Sequence, residues 1–246
     1  MIRWRFIFLF LWIISAVLLG GAQEFESDII PTSDGDLKIT FIGHGTLMFE
    51  FRGKVVHVDP VSRYADYAVL PKADLILVTH EHGDHLDPAA IKHVLRNETV
   101  VAWTRSCEAA ADIQKTVVMD NGDSQALASI QIDAVPAYNI KHMRSPGKPF
   151  HPKGDGNGYI LTFGDLRVYI AGDTENIPEM QSLRDIDVAF LPMNLPYTMD
   201  PRMAANAALS FKPRILYPYH FGNTDTSELM NLLKGSGIEI RIRRLE

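Results

Sequence analysis

The amino-acid sequence predicts an α/β fold, and two features of the chain support this fold class. Apolar runs of strand length alternate with segments that begin like helices throughout residues 37–246, as they do in layered α/β domains. Several polar side chains follow these apolar runs directly, and loops at strand ends are where such folds commonly build their sites. The chain has 246 residues, of which 46% are hydrophobic, so it can bury a sizeable core. We therefore expect one compact domain over residues 37–246.

The first half of this domain is predicted to be a β-meander followed by a strand, a loop and a helix. Residues 37–60, LKITFIGHGTLMFEFRGKVVHVDP, contain three strand-like runs that are broken by glycines. The run DLILV then predicts a short buried strand. A helix begins in DPAAIKHVLR, because Asp87 suits the N-cap and Pro88 suits the first helical position.

The second half mixes strands and helices in a similar order. Strands are predicted in LRVYIAGDT, DVAFLPM, RILYPYH and IEIRIRRL, and helices in DPRMAANAALSF, TSELMNLLKG and residues 176–184. Further strands are predicted near residues 98–102, 115–119, 127–137 and 157–163. The sequence of residues 37–246 shows no repeat of fixed period and no linker.

The first 22 residues differ in composition from the rest. Arg3 and Arg5 precede a long apolar run that ends in small residues, which is typical of a secretory signal peptide. A signal-anchor is the alternative, because residues 4–22 are long enough to span a bilayer. We expect residues 1–22 to be a signal peptide and residues 23–36 to be a polar N-terminal segment before the domain. The protein is then periplasmic or extracellular without stable membrane insertion, or membrane-anchored if the leader is retained.

The charge and the cysteine content narrow the functional classes. The formal net charge is −6, and it falls to −8 without residues 1–22, which contain two arginines and no acids. An acidic chain without basic runs is a poor candidate for binding nucleic acid, since neutralising phosphates requires clustered Lys and Arg. The single cysteine, Cys107, excludes an intramolecular disulfide. It lies at helical spacing in SCEAAADI and is expected to be a small buried side chain.

The stretch THEHGDHLD, residues 79–87, follows a predicted strand directly and has the pattern H-x-H-x-D-H. An extended backbone puts His80 and His82 on one face, and the turn after them redirects Asp84 and His85. Imidazole and carboxylate without thiolate is the ligand set of hydrolytic Zn, Fe or Mn sites. An ordinary solvated loop rarely places these groups at such spacing, so the stretch predicts a metal site.

Other polar residues occupy the same place relative to an apolar run. The five residues that directly follow such runs are His44, Asp59, His80, Asp173 and His220. Since the strand ends of a layered fold can meet at one edge, we expect these side chains to lie close together.

These residues resemble the signature of the metallo-β-lactamase-fold hydrolases, in which H-x-H-x-D-H follows a strand. HVDP with Asp59, AGDT with Asp173 and YPYHFGN with His220 match the order and separations of the family's motifs. FIGHGTLMFE with His44, and the stretch from VPAYN to FHPKGDGNGYIL, are similar to the ascorbate-6-phosphate lactonase-like members. The resemblance covers almost the whole chain after the leader. It implies a four-layer αββα sandwich with the site along one edge of the β layers.

The resemblance also implies a centre of two metal ions. Six residues match the family's ligands. His80 and His82 would bind metal 1, and Asp84, His85 and His220 would bind metal 2. Asp173 would bridge the two ions. A bridging carboxylate is electrostatically reasonable, because it offsets part of the repulsion between two dications. Two zinc ions are expected, with manganese or iron as alternatives.

The third ligand of metal 1 departs from the family pattern. Many members supply a histidine from the strand end before Asp173, whereas VPAYN has Asn139 at that place. His142 and His151 both follow in the loop of residues 140–156. We expect His151 to complete the site because FHPKG matches the subgroup, with His142 and Asn139 as alternatives.

The implied reaction is hydrolysis by a metal-bound hydroxide, so no side-chain nucleophile is required. Asp84 is expected to accept a hydrogen bond from the hydroxide, and the leaving group is expected to be protonated through water or by a nearby side chain such as His44. His44 is alternatively a turn histidine that packs between two glycines. Asp59 is expected to orient a ligand histidine or simply to end its strand.

The predicted substrate is a small molecule, and the bond attacked is an ester, a lactone or a phosphodiester. A secreted β-lactamase-type amide hydrolase and a non-hydrolytic metal-binding or redox protein of the same fold are the alternatives. Four basic residues lie in the loop of residues 140–156, namely Lys141, Arg144, Lys148 and Lys153. They are expected either to attract an anionic substrate or only to keep a flap soluble. In PMNLPYTMD, Asn194 or Tyr197 is a candidate donor to a developing oxyanion.

Overall fold

The computed structural model of the protein describes residues 23–110 and 113–245. The predicted leader, residues 1–22, lies outside the described residues, as do residues 111, 112 and 246. Within the described ranges, no helix is long and apolar enough to cross a membrane.

The first of two seven-stranded sheets is built from the N-terminal half of the chain. Its strands, in both chain order and spatial order, are β1 (Glu26–Thr32), β2 (Gly35–Gly43), β3 (Thr46–Phe51), β4 (Lys54–Val58), β5 (Leu75–Leu77), β6 (Val100–Trp103) and β7 (Thr116–Val118). β1 to β4 run antiparallel, and β4 to β7 run parallel. The predicted polar segment over residues 23–36 contains β1, which pairs with β2 as an edge strand of the sheet. The apolar pattern did not reveal β1, since Ile30 is its one buried residue.

The second sheet repeats this construction with the C-terminal half. Its strands, from one edge to the other, are β8 (Ser124–Leu127), β9 (Ile130–Ala137), β12 (Gly156–Phe163), β13 (Leu166–Ile170), β14 (Val188–Pro192), β15 (Ile215–Tyr219) and β16 (Glu239–Ile240). A small hairpin of β10 (Met143–Ser145) and β11 (Lys148–Pro149) lies in the connection between β9 and β12. In each sheet four antiparallel strands are followed by three strands added in parallel. The two halves are thus similar in build although their sequences show no repeat of fixed period.

Helices cover the outer faces of the two sheets. They are α1 (Pro88–Val94) and α2 (Arg105–Ala110) on the first sheet, α3 (Pro201–Phe211) on the second sheet, and α4 (Thr226–Leu232) against α3. Asp87 caps α1 as predicted, because its side chain accepts hydrogen bonds from the backbone N–H groups of Ala89 and Ala90. The layers run helix, sheet, sheet, helix, which confirms the αββα fold.

The main apolar core lies between the two sheets and continues to the buried faces of α3 and α4. In β5, Leu75 and Leu77 belong to this core, whereas Ile76 belongs to a smaller cluster under the helices of the first sheet. Successive side chains of a strand point to opposite faces, so β5 is apolar throughout because both of its faces are covered. Cys107 lies buried in the smaller cluster, as expected. Burial raises the pKa of its thiol to about 12.

The strand directions explain where the polar loops lie. In the first sheet the carboxyl ends of β2, β4 and β5 share one edge, since β2 and β4 are both antiparallel to β3 and β5 is parallel to β4. In the second sheet β9, β13 and β15 share an edge for the same reason. His44, Asp59, His80, Asp173 and His220 follow five of these strands, as the sequence predicts, whereas His151 follows β11.

Two predicted elements are shorter than expected. The helix predicted over residues 176–184 is a 3₁₀ helix at Pro178–Ser182, which an extended residue terminates. The strand predicted in IEIRIRRL is limited to the two residues of β16, Glu239–Ile240. The backbone N–H of Arg241 still donates to the oxygen of Leu216 in β15 at 2.9 Å, and beyond it the side chain of Arg243 binds Asp28 in β1.

Asp28 joins the first sheet to the second sheet and to the C-terminal tail. Its carboxylate accepts hydrogen bonds from Arg243 Nη2 at 2.7 and 2.8 Å and from the Tyr217 hydroxyl. The Arg243 guanidinium lies 5.7 Å from the ring centroids of Phe41 and Tyr217. Burial raises the pKa of Asp28, but the bonds from Tyr217 and Arg243 outweigh this and hold the pKa below its usual value.

We predict that Asp28→Asn lowers the free energy of unfolding by about 2 kcal/mol at neutral pH, because a charged acceptor with several donors is lost. The folded-state pKa of Asp28 is depressed, so its carboxylate stabilises the fold above the ordinary pKa of 3.8. That contribution is lost as the pH falls through the lower folded-state value. Urea unfolding at neutral and at acid pH should therefore show a difference between the two proteins that shrinks on acidification.

Asp34→Asn is the matched control, because Asp34 contacts Arg52 at 3.3 Å on the surface, where both side chains are more than half exposed. An exposed pair contributes less than about 1 kcal/mol. Equal losses in the Asp28 and Asp34 variants, or a difference that does not change with pH, would contradict the role given to Asp28.

Candidate metal centre

Three histidines form the first group of the candidate site. His80 and His82 follow β5, and His151 follows the β10–β11 hairpin. His80 Nε2 lies 3.1 Å from His82 Nδ1, and one ring nitrogen from each of the three residues lies within 4.8 Å of the others. His80 and His151 are buried, while His82 is half-buried. Three ring nitrogens around one point have the arrangement that a single ion requires.

The structure separates the three candidates for the third place in this group. His151 Nε2 lies 3.3 Å from Asp173 Oδ2, whereas His142 Nδ1 lies 3.0 Å from Glu175 Oε1, outside the group. Asn139 supports His151 instead of joining the group, because its Oδ1 accepts from His151 Nδ1 at 2.7 Å and from the His151 backbone N–H at 2.8 Å. An amide oxygen can only accept, so it keeps the proton on Nδ1 and leaves the lone pair of Nε2 facing the group.

Asp84, His85 and His220 form the second group, and His44 joins them. Asp84 Oδ2 lies 3.3 Å from His44 Nε2, 3.6 Å from His220 Nε2 and 3.8 Å from His85 Nε2. The rings of His44 and His220 are in contact, with centroids 3.7 Å apart. The histidines of this group are mostly buried, whereas the Asp84 side chain is 43% exposed. The second group is therefore open to solvent through Asp84.

Asp173 lies between the two groups. Its carboxylate oxygens are 3.3 Å from His151 Nε2 and 4.0 Å from His80 Nε2 in the first group. They are also 3.5 Å from His85 Nε2 and 3.4 Å from His220 Nε2 in the second. The side chain is only 4% exposed. One buried carboxylate thus contacts both groups at once.

Asp59 orients His85 of the second group through a hydrogen bond to the ring nitrogen that faces away from Asp84. Asp59 Oδ2 accepts from His85 Nδ1 at 2.7 Å, and its two oxygens also accept from the backbone N–H and the hydroxyl of Thr79, each at 2.7 Å. With Nδ1 engaged in this way, His85 presents Nε2 to the centre. The expectation that Asp59 orients a ligand histidine agrees with this contact.

The backbone at this edge adopts left-handed conformations that residues other than glycine rarely take. His44, Asp59 and His220 have φ values of 55°, 45° and 46°, and each such residue costs about 1–3 kcal/mol of strain. Gly45 follows His44, and a Cβ at this position would lie 2.9 Å from His85 Cε1. Glycine is required there because any side chain would displace the His85 ring.

Burial and neighbouring charges shift the titration of these groups. Burial lowers the pKa of His80 far below its usual value and lowers the pKa of His151 to about 4. Burial also disfavours the charged form of His85, but Asp173 and Asp59 outweigh it and raise the pKa of His85 to about 10. Burial raises the pKa of Asp173, but the surrounding histidines outweigh this and hold the pKa below its usual range.

Several polar atoms at the centre have no hydrogen-bond partner among the described residues. They include His85 Nε2, Asp173 Oδ1 and His220 Nε2, all of which are buried. Burying a polar atom without a partner costs free energy. A divalent cation would satisfy all three atoms, since imidazole and carboxylate without thiolate are ordinary ligands for Zn, Mn or Fe. The side chains therefore fit a metal centre.

A cavity of about 380 Å³ opens beside both groups, which is enough for a small substrate. Besides site residues, its wall contains Arg63, Tyr64, Arg144, Phe150, Asn194 and Tyr197. Arg144 Nη2 lies 3.2 Å from His82 Nε2, the ring nitrogen that faces away from His80. Lys153 in the same loop pairs with Glu179 at 2.7 Å and does not line the cavity.

Sequence reasoning missed two supporting residues, Glu175 and Thr79. Glu175 is 1% exposed and accepts from the backbone N–H groups of Lys141 and His142. It therefore holds the start of the loop that ends in His151. Its place two residues after Asp173 in AGDTEN was the available signal. Thr79 precedes the histidine pattern directly, and only its contact with Asp59 reveals its role.

Comparisons with known proteins identify the family of the chain. A family model described as the β-lactamase superfamily domain matches residues 38–220. A UPF0173 metal-dependent hydrolase from Archaeoglobus fulgidus is 29% identical over 221 residues, and the match covers 84% of this chain and 94% of that protein. A UPF0173 metal-dependent hydrolase from Thermococcus kodakarensis is 34% identical, with coverage of 75% of this chain and 84% of that protein.

Solved structures share the fold. A candidate metal-dependent hydrolase from Parabacteroides distasonis is 52% identical with a TM-score of 0.86, covering 91% of this chain and all of that one. Igni18, a metallo hydrolase from Ignicoccus hospitalis, is 24% identical with a TM-score of 0.70, covering 85% of this chain and 95% of that one, and supports the fold alone. The ascorbate-6-phosphate lactonase-like subgroup stays a prediction. The family resemblance is confirmed: the chain belongs to the β-lactamase superfamily and, within it, to the UPF0173 metal-dependent hydrolases.

Proposed function

We propose that the protein uses two metal ions to hydrolyse an ester, lactone or phosphodiester bond in a small anionic substrate. The family supplies metal-dependent hydrolysis, and the number of ions and the class of bond are our additions. The observation that supports two ions is the position of Asp173, whose carboxylate contacts histidines of both groups within 3.5 Å. A carboxylate in that position is suited to bridge two ions, because it offsets part of their repulsion.

Each group would hold one ion. The proposed ligands are His80, His82 and His151 for the first ion, Asp84, His85 and His220 for the second, and Asp173 for both. Zinc is the proposed metal because the ligands are imidazoles and carboxylates, and manganese or iron would also suit them. Such ions, when bound, supply Lewis acidity that activates water and polarises the scissile bond.

Asp84 and His44 form a pair in which Asp84 accepts hydrogen bonds and His44 can take up and return a proton. Burial raises the pKa of Asp84, but its contacts with His220 and His44 hold the pKa far below the usual value, so the group remains a carboxylate that accepts hydrogen bonds. Burial lowers the pKa of His44, so its ring is neutral at neutral pH. Because the Asp84 carboxylate can only accept, the neutral His44 ring carries its proton on Nε2, 3.3 Å from Asp84, and Nδ1 is the atom that would take up a proton from water and pass it to the leaving group.

The cavity wall supplies groups that suit an anionic substrate. Arg63 and Arg144 line the cavity, and neither forms a salt bridge within the part of the chain that the structure describes. Guanidinium groups bind carboxylate and phosphoryl oxygens with two parallel hydrogen bonds. Asn194 and Tyr197 also line the cavity and are the proposed donors to a developing oxyanion.

The proposal is tested by metal analysis and a substrate screen on the protein and two histidine variants. We expect the wild-type protein, after loading with zinc, to bind about two ions per chain and His151→Ala to lose most of the first ion. His142→Ala is the matched control, because His142 lies in the same loop but contacts Glu175. It should retain both ions and its activity toward the lactone, ester or phosphodiester that the wild type cleaves.

The same experiment separates the alternatives. Equal metal loss in the two variants would show that His151 has no special role, and one ion in the wild type would remove the bridging role of Asp173. A β-lactam belongs in the screen, since its selective hydrolysis would identify an amide hydrolase. A protein that, when loaded with iron or manganese, cleaves none of the substrates but cycles between redox states would point to a non-hydrolytic function.

We predict that Asn139→Ala weakens zinc binding by about 10- to 100-fold while leaving the fold intact, because the acceptor that orients His151 is lost. Competition with a chromophoric chelator measures the affinity, and thermal unfolding of the metal-free protein checks the fold. Unchanged affinity in a folded variant would show that Asn139 does not set the orientation of His151.

We predict that Arg144→Ala raises KM for an anionic substrate by about tenfold or more, because a charge-assisted contact is lost. The KM of a neutral ester with the same leaving group should change little. Arg52→Ala, at an exposed position outside the cavity, is the control. Equal changes in KM for charged and neutral substrates would contradict a charge-selective role of Arg144.

A further inference from the structure

The exposed apolar side chains are unevenly distributed over the surface. Among the described residues, the eight large apolar side chains that are exposed are Ile29, Val69, Ile140, Met143, Leu195, Tyr197, Leu209 and Met230. Five of these lie in three loops that line the cavity, residues 60–71, 139–151 and 193–198. We call these three loops the rim. A soluble surface normally carries such residues singly, so their concentration in the three loops that contribute to the cavity wall indicates an interaction surface.

The rim is also basic, although the protein is acidic. Its four cationic residues are Arg63, Lys141, Arg144 and Lys148, and its one acidic residue is Asp66. None of the four cations forms a salt bridge with a described residue. The whole chain, by contrast, has 30 acidic residues and 24 lysines and arginines. Unpaired cations between exposed apolar side chains are the pattern of surfaces that bind anionic lipid.

The chain enters the described structure at the rim. Gln23 is the first described residue, and its Nε2 donates to the backbone oxygen of Tyr64, which lines the cavity. The 22 residues before it contain the apolar run that the sequence predicts to be a signal peptide or a signal-anchor. A leader held in a bilayer would therefore place the rim close to that bilayer.

We propose that the rim docks on the surface of an anionic lipid bilayer. Its apolar side chains would enter the interfacial layer, and its cations would contact lipid phosphates. The mouth of the cavity would then face the lipid head groups. In that orientation the site would receive amphiphilic substrates with an anionic head, a consequence that rests on the hydrolase function proposed above.

A second copy of the chain is a poorer occupant of the rim. In a two-fold dimer the same surface faces itself, so the cations of one rim would lie against the cations of the other. Like charges in contact disfavour association. An anionic bilayer, by contrast, complements the charge of the rim and accepts its apolar side chains.

The test places a fluorescent probe at one residue of the full chain. Cys107 is buried, so a thiol-reactive, environment-sensitive dye labels an introduced surface cysteine selectively. Met143→Cys labels the rim, and Met230→Cys in α4 is the matched control, since the two methionines are 41% and 43% exposed. Each labelled protein is mixed with vesicles of phosphatidylcholine with or without phosphatidylglycerol. Because the signal comes from the labelled residue, insertion of the leader alone does not produce it.

We expect a blue shift of the dye at position 143, and quenching by nitroxide-labelled lipid, when the vesicles contain phosphatidylglycerol. The dye at position 230 should show neither. Equal responses at both positions, or no response at position 143, would overturn the proposal. A shift that appears without vesicles and grows with protein concentration would assign the rim to a second copy and would also overturn it. The dye reports docking without catalysis, so its result is independent of the hydrolase assignment.

The electrostatic contribution to lipid binding is tested with the double variant Lys141→Gln, Lys148→Gln in the labelled Met143→Cys protein. Each lost cation should weaken binding to anionic vesicles about fivefold, and both together about thirtyfold. The control double variant Lys92→Gln, Lys234→Gln removes exposed lysines outside the rim and should leave binding unchanged. Equal losses in the two double variants would show that net charge, and not the rim, controls binding.

Discussion

The rest of the site depends on the burial of the Asp173 carboxylate among four histidine rings. Burying an isolated carboxylate is costly, and it is tolerated where positive charge is held beside it. The rings come from both halves of the chain, and their nitrogens lie 3.3–4.0 Å from the Asp173 oxygens. Two ions on either side of this carboxylate would satisfy its charge and the buried ring nitrogens together. The site is thus a junction between the two sheets of the sandwich.

Hydrogen bonds to the ring nitrogens that face away from Asp173 fix the orientation of two of these rings. Asp59 fixes His85 and Asn139 fixes His151, each through a hydrogen bond to Nδ1 of 2.7 Å. Glu175 in turn fixes the start of the loop that carries His151, because its carboxylate accepts hydrogen bonds from two backbone N–H groups of that loop. Oriented rings lose little freedom on binding an ion, so these contacts would raise the affinity of the proposed centre without touching the ion.

The parts of the site that lie within one short segment could be predicted from the sequence. Residues 79–87 supply four candidate ligands from one pattern, and the apolar runs place Asp173 and His220 at strand ends. The partner of His151 could not be predicted, because Asn139 acts through a contact that only the folded loop creates. The edge strand β1 could not be predicted for a different reason: it is polar, and it is stabilised by pairing with β2 and by the contacts of Asp28. Contacts between distant segments are what a linear pattern does not contain.

The most direct measurement of the central claim is anomalous X-ray scattering from crystals of the zinc-loaded protein, recorded on both sides of the zinc absorption edge. The account predicts two peaks, one beside His80, His82 and His151 and the other beside Asp84, His85 and His220. The Asp173 carboxylate should lie between the peaks and bind to both. A single peak that contacts only one group, or peaks at other positions with Asp173 unliganded, would contradict it.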